Sequence, residues 1–117
     1  LNNWQVTVAD FSEELAKAAV ANHNSGKAIF FNVTDDKQRQ TEIENTDIVI
    51  SMLPTRMHIL VAKDCVRLSK NLVTASYVSK EILALDEKAK QAGIILLNEI
   101  GLDPGIDHMS AMQVIDD

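Results

Sequence analysis

Cysteine, proline, glycine and aromatic residues are all scarce in this chain. One cysteine, two prolines, four glycines and 4% aromatics occur in 117 residues. The lone thiol, Cys65, excludes an intramolecular disulfide and any multi-thiolate metal site. The three histidines, His23, His58 and His108, share no ligand spacing, so no metal site is expected. The longest apolar runs are about five residues, against roughly 20 for a membrane-spanning helix, so no membrane partner is expected. No charged-then-apolar leader is visible, so no signal peptide is expected. No Lys/Arg block is longer than two residues, and 11 basic against 17 acidic residues give a net charge of −6. A nucleic-acid partner is therefore not expected. Internal repeats, low-complexity tracts and Gly/Ser linkers are absent as well.

What is present is globular in composition, with 46% apolar and 24% charged residues. The length fits one domain, residues 1–117, and the expected class is a soluble cytoplasmic α/β protein. The chain begins at Leu1 rather than methionine, a hint of sequence upstream.

Short apolar runs alternate with helical patterns. Trp4–Ala9 reads as a strand ending at Asp10, followed by a helix over Phe11–Ala21. Ala28–Asn32 reads as a second strand, and Asp35–Glu44 as a weak helix. Asp47–Met52 is mostly apolar, as in a strand buried on both faces. Thr55–Ser69 reads as a helix, Leu72–Ala75 as a strand, and Ser79–Ala92 as a helix capped by Gly93. Ile94–Leu97 reads as the fifth strand. Pro104–Ile115 reads as a last helix, with His108, Ala111, Met112 and Ile115 at helical spacing. Five apolar runs separated by helices predict β-α-β units and a parallel sheet, in which ligands bind outside the carboxyl ends of the strands.

The strand-end residues are therefore the ones that bear on chemistry. Asp10 can hydrogen-bond an adenosine ribose, as the acid of a dinucleotide fold does, or it can cap the helix with Glu13 as partner. A dinucleotide site also needs a Gly-rich phosphate turn about 20 residues earlier. Only nine residues precede Asp10, and none is glycine. Thr34-Asp35-Asp36 reads as a cap with acidic residues in the first turn, or as a loop edging an adenine. Ser51–Thr55 leaves a strand, stops at Pro54 and re-enters a helix that Thr55 can cap. Thr74, Ser76 and Tyr77 place three hydroxyls at one strand end, which tilts towards ligand contact. Ser79 reads as the next helix cap. Asp103 before Pro104 reads as an N-cap with an N1 proline, but that does not account for Asn98, Glu99 and Gly101 beside it. His58 and His108 read as satisfied or half-exposed helix residues, and Cys65 as a buried, inert thiol.

The segment Asn98–Met109, NEIGLDPGIDHM, resembles the saccharopine dehydrogenase family of the glutamate-forming type, also called saccharopine reductase. Val33–Asp36, Asp47–Pro54 and Thr74–Ser79 occur in the order the family has them, and the resemblance covers essentially the whole chain. It implies a Rossmann-type, three-layer α/β/α parallel sheet of about five strands, family strands two to six. The first strand and Gly-rich loop would be missing, and the substrate domain would lie elsewhere. It implies an oxidoreductase of lysine metabolism. Hydride transfer between NAD(P) and the saccharopine C–N bond, with an imine intermediate, interconverts saccharopine with glutamate and 2-aminoadipate 6-semialdehyde.

By the same resemblance, Asp10, Phe11 and Ser12 would edge the adenosine ribose, and Asn32 and Val33 would flank the adenine. Leu53 would approach the cofactor, and Thr74 and Ala75 would lie beside the nicotinamide ribose. Ser76, Tyr77 and Asp103 would contact saccharopine, and Leu102, Asp103 and Pro104 would touch cofactor. Asp103 is the candidate general acid or base. Asp10-Phe11-Ser12 stands where NADP-using fungal members carry a basic residue, so NAD is expected over NADP. Without the phosphate loop, the chain alone is expected neither to bind the cofactor tightly nor to turn over saccharopine.

A missing central strand predicts either direct closure into one five-stranded sheet or a homodimer through open strand edges. The rival reading from another class is a receiver-like (βα)5 signalling or interaction module. Its length and element count fit, but Ser51 and Asn98 stand where its phosphoacceptor chemistry needs Asp and Lys.

Overall fold

A strand needs only a short extended run with β-branched residues, and Val6-Thr7-Val8 supplies one at the start of the chain. The computed structural model describes residues 3–116, so Leu1, Asn2 and Asp117, the ends of the expected domain, lie outside the described residues. The chain divides into two compact units, one running to Arg39 and the other starting at Gln40.

In the first unit, β1 (Val6–Asp10) and β2 (Gly26–Phe30) pair in parallel, from Val6 opposite Gly26 to Asp10 opposite Phe30. The crossover between them is α1 (Glu13–Val20), with Ala16 fully buried. Ser12 is the N-cap: its Oγ accepts the Leu15 N–H, and Glu13 and Glu14 follow in the first turn, where the helix dipole favours acids. The capping role considered for Asp10 thus belongs to Ser12, two positions on, and the expected helix start at Phe11 moves with it. Helix α2 (Asp36–Glu44) begins in this unit. Thr34 does not cap it. Thr34 donates its hydroxyl to Asn32 Oδ1, and Asp35 Oδ1 takes the Gln38 N–H instead.

In the second unit, β3 (Ile48–Ser51), β4 (Asn71–Thr74) and β5 (Leu96–Leu97) form a parallel sheet in that order. Val49 lies opposite Leu72, and Leu72 opposite Leu96. Helix α3 (His58–Arg67) joins β3 to β4, while α4 (Lys80–Leu83) and α5 (Asp86–Ala92) join β4 to β5. The core is Val61, Ala62, Cys65, Leu72, Ile82, Leu85 and Ala89. Leu72, on the central strand, is almost fully buried, and burial of such a side chain contributes about 2 kcal/mol. The last helix, α6 (Ile106–Asp116), has no buried residue.

Parallel strands with helical crossovers are the α/β class read from the sequence. The two orders, β1–β2 and β3–β4–β5, are those of the flanking parts of a doubly wound sheet ordered 3-2-1-4-5-6. Among the described residues β1 pairs with β2 in the first unit, and β3 with β4 in the second. No helix among them is long and apolar enough to cross a membrane.

Other expectations need correcting. The run Asp47–Met52 is not buried on both faces. Val49 and Ser51 point to the α3 side, while Ile48 and Ile50, on the alternate face, are 53% and 68% exposed. The helix expected over Thr55–Ser69 opens as a 3-10 turn, Thr55–Met57, closed by Met57 N–H on the Pro54 carbonyl, and Thr55 makes no cap. It ends where Ser69 turns to positive φ and the Lys70 N–H closes on the Cys65 carbonyl. The stretch Ser79–Ala92 breaks in two at Ala84 and Leu85. Ser79 caps α4 and Gly93, at φ 68, ends α5, both as expected. The final helix starts at Ile106 rather than Pro104, and its expected face of His108, Ala111, Met112 and Ile115 is exposed.

Candidate functional site

The carboxyl ends of β1 and β2 collect the first group of expected site residues. Asp10 Oδ1 accepts the Ser12 N–H at 2.8 Å, so a short turn carries the chain from strand to helix with an exposed carboxylate at its tip. Phe11 is 71% exposed and lies against Phe30, ring centroids 5.4 Å apart. Asn32 and Val33 follow β2 and are held from several directions. Asn32 Oδ1 accepts from Thr34 N and Oγ1, and the Asn32 N–H donates to Gln38 Oε1 at 2.9 Å. Gln38 also donates to the Phe30 carbonyl. Arg39, itself buried, donates to the Val33 carbonyl and to Asp36 Oδ1. Charge-assisted bonds of this kind are roughly twice as strong as neutral ones, so the loop after β2 is firmly set.

In the second unit the ends of β3 and β4 form a cleft of about 180 Å³ lined by Ser51, Met52, Leu53, His58, Thr74, Ala75 and Ser76. Leu53, Thr74, Ala75 and Ser76 were all expected here. His58 was not, and it is 1% exposed. Its Nδ1 lies 2.8 Å from Ser51 Oγ and its Nε2 lies 2.8 Å from Ser76 Oγ. Burial holds its pKa below the ordinary histidine value, so the ring is neutral. Sequence reading placed His58 as a satisfied or half-exposed helix residue; it is satisfied, by two serines. The available signal was the spacing: a strand-turn-helix folds Ser51, at a strand's last position, back against the first turn of the following helix.

The segment after β5 closes over the end of β4. Glu99 N–H donates to the Ser76 carbonyl at 3.1 Å and Ile100 N–H to the Thr74 carbonyl at 3.3 Å. Glu99 Oε1 accepts the Val78 N–H. Gly101 packs so tightly that a Cβ there would lie 2.9 Å from the Ala75 Cβ. Gly101 N–H donates to the Pro104 carbonyl, and Ile106 N–H to the Gly101 carbonyl, folding 101–106 into a small loop. At Gly105, with φ 143, a Cβ would sit 2.1 Å from the Gly101 carbonyl oxygen, so only glycine fits. Asp103 therefore does not cap a helix. Its Oδ1 accepts the Tyr77 hydroxyl at 2.6 Å, while Asp107 accepts the Gly105 N–H. That hydrogen bond, which favours the protonated phenol, raises the Tyr77 pKa. Leu102 is exposed beside Asp103, and Pro104 is buried beneath it.

Tyr77, Asp103 and the cleft residues thus meet at the strand ends that the sequence pointed to. Residues 1–97 match the model of the saccharopine dehydrogenase NADP-binding domain. The chain belongs to the saccharopine dehydrogenase family. It is 46% identical to an alpha-aminoadipic semialdehyde synthase of Arabidopsis thaliana, over 96% of this chain and 10% of that one. It is 43% identical to the NADP(+), L-glutamate-forming saccharopine dehydrogenase of Pyricularia oryzae, over 97% of this chain and 25% of that one. Its fold superposes on the apo saccharopine dehydrogenase (L-Glu forming) of Saccharomyces cerevisiae with a TM-score of 0.87 and 41% identity, covering 96% of this chain and 25% of that one. The chain thus spans a quarter or less of the length of these members of the saccharopine dehydrogenase family.

Proposed function

We propose that this chain serves as part of the nicotinamide-cofactor domain of a glutamate-forming saccharopine dehydrogenase acting in lysine metabolism. The observation that carries the reading is the Tyr77–Asp103 hydrogen bond, which joins the end of β4 to the loop after β5 beside the cleft. In the first unit, Asp10, Phe11 and Ser12 edge an adenosine ribose, and Asn32 and Val33 flank the adenine. In the second, Thr74 and Ala75 lie beside the nicotinamide ribose, Leu53 approaches the cofactor, and Leu102, Asp103 and Pro104 touch it. The fit is supported by the hydroxyls of Thr74 and Ser76 at one strand end and by the close approach of Gly101 to Ala75, which leaves no side chain between those backbones. The family domain is named for NADP. NAD is favoured here because the exposed Asp10 carboxylate suits a free 2′-hydroxyl and repels a 2′-phosphate.

The bound cofactor supplies the hydride acceptor for the saccharopine C–N bond. Water then hydrolyses the resulting imine to glutamate and 2-aminoadipate 6-semialdehyde, with one proton released. Ser76, Tyr77 and Asp103 orient saccharopine. Tyr77 keeps its proton at Oη and donates that hydrogen bond to Asp103, the candidate general acid or base. A second copy pairing along the open edge of β1 or β3, and a cytoplasmic, reducing location suited to the buried Cys65 thiol, complete the reading.

The deciding experiment assays saccharopine oxidation by the full-length enzyme carrying this segment and by the 117-residue chain alone. Activity in the first and none in the second is expected. Turnover by the isolated chain would refute the division of labour, and failure of the long form with saccharopine would refute the substrate.

A further inference from the structure

Ser51, His58 and Ser76 form a hydrogen-bonded chain at the ends of β3 and β4, of which the proposed reaction uses only the Ser76 hydroxyl. A serine and a histidine are costly to bury, and Ser51 and His58, 4% and 1% exposed, must be hydrogen-bonded to persist, while Ser76 is half-buried. The ring spans the two serines symmetrically at 2.8 Å on both sides. A neutral imidazole has one N–H and one bare nitrogen, so one serine donates to it while the other accepts from it. The Ser76 hydroxyl is thereby held in place against Nε2, as donor or acceptor according to the tautomer. Its own N–H is also anchored, on Thr74 Oγ1 at 3.2 Å. Ser51, 4% exposed where it lines the cleft, serves as the far anchor of the ring.

We propose that His58 is a positioning residue that presents the Ser76 hydroxyl to the amino-acid substrate, with Ser51 locking the ring. The proposal rests on the reading that Ser76 contacts saccharopine. A pre-set hydroxyl loses no rotamer freedom when the substrate arrives, so its hydrogen bond contributes fully to binding. His58 itself touches no substrate.

The test measures KM for saccharopine and kcat in the full-length enzyme carrying this segment, with Ser76→Ala, His58→Ala, His58→Gln, His58→Asn and the double variant Ser76→Ala/His58→Ala. Ser76→Ala and His58→Ala should each raise KM about tenfold, the worth of one well-placed hydrogen bond. The double variant should be no worse than Ser76→Ala. Gln reaches the place of Nε2 and should hold KM within about threefold of the parent; Asn reaches only Nδ1 and should not. An unchanged KM in Ser76→Ala overturns the substrate reading and this proposal with it. A raised KM in Ser76→Ala, with either full additivity of His58→Ala or equal behaviour of Gln and Asn, overturns the role of His58 alone. The Gln/Asn comparison decides the matter if His58→Ala fails to fold.

Discussion

Tyr77 donates its phenolic proton to Asp103 Oδ1 over 2.6 Å, across 26 positions of the chain. Losing the Tyr77 proton would cost this hydrogen bond and place a phenolate beside an acidic side chain, so the phenol titrates above the ordinary tyrosine value.

Tyr77 is the only tyrosine, so phenolate absorbance in the intact chain reads this group alone. The midpoint should lie above about 10 in the parent. Asp103→Asn should bring it down towards the ordinary value. A midpoint that Asp103→Asn leaves in place would mean the bond is not made in solution. In the full-length enzyme, Tyr77→Phe and Asp103→Asn should each lower kcat/KM by a factor on the order of 100, the usual contribution of a positioned acid or base.

His58 makes the second unit sensitive to acid. Its folded-state pKa lies below its unfolded value, so the folded state stays neutral where the unfolded chain already binds a proton. The stability from the neutral ring is present above about pH 6.5 and is lost as pH falls through the folded-state value. Denaturant midpoints at pH 7.5 and 5 should therefore differ more in the parent than in His58→Gln. Equal differences in the two would remove His58 as the cause.

Asp10→Asn separates charge from geometry, because the amide oxygen can still accept the Ser12 N–H. In the full-length enzyme the variant should raise kcat/KM with NADP relative to NAD about tenfold or more, by removing one like charge from the 2′-phosphate. An unchanged ratio would place the ribose elsewhere.

Two glycines with positive φ should respond differently to alanine. At Gly93 nothing lies within 4 Å of an added Cβ, so the cost is backbone strain alone, about 1 kcal/mol. At Gly105 the added Cβ collides with the Gly101 carbonyl, and the loop must open, at about 3 kcal/mol. Gly105→Ala should also return the Tyr77 titration to its ordinary midpoint, because Asp103 sits in that loop. Chemical denaturation of both variants, with the Tyr77 titration of the second, checks each statement.

The α/β class and the parallel pairing were legible because period and turn signals are local. Ser79 and Gly93 were legible as caps for the same reason. Asp103 was misread as a cap because the rule that Asp before Pro starts a helix is also local, while its actual partner, Tyr77, lies on another strand end. Ile48 and Ile50 looked doubly buried because hydrophobicity records what a strand requires, not what covers it in a given chain. The role of His58 was hidden because a histidine on an apolar helix side carries no sign of the serines it will meet. Ser76, Tyr77 and Asp103 were named as substrate contacts through the family resemblance, and the hydrogen bond between Tyr77 and Asp103 belongs to the fold.

Cys65 lies at 0% exposure against the sheet, its thiol pushed up to about 12 chiefly by burial. A thiol that reacts only as thiolate is therefore silent while the second unit stays closed. The molecule carries its own stopwatch: the rate at which a disulfide reagent captures this single thiol reports how often α3 lifts from the strands, with no label introduced.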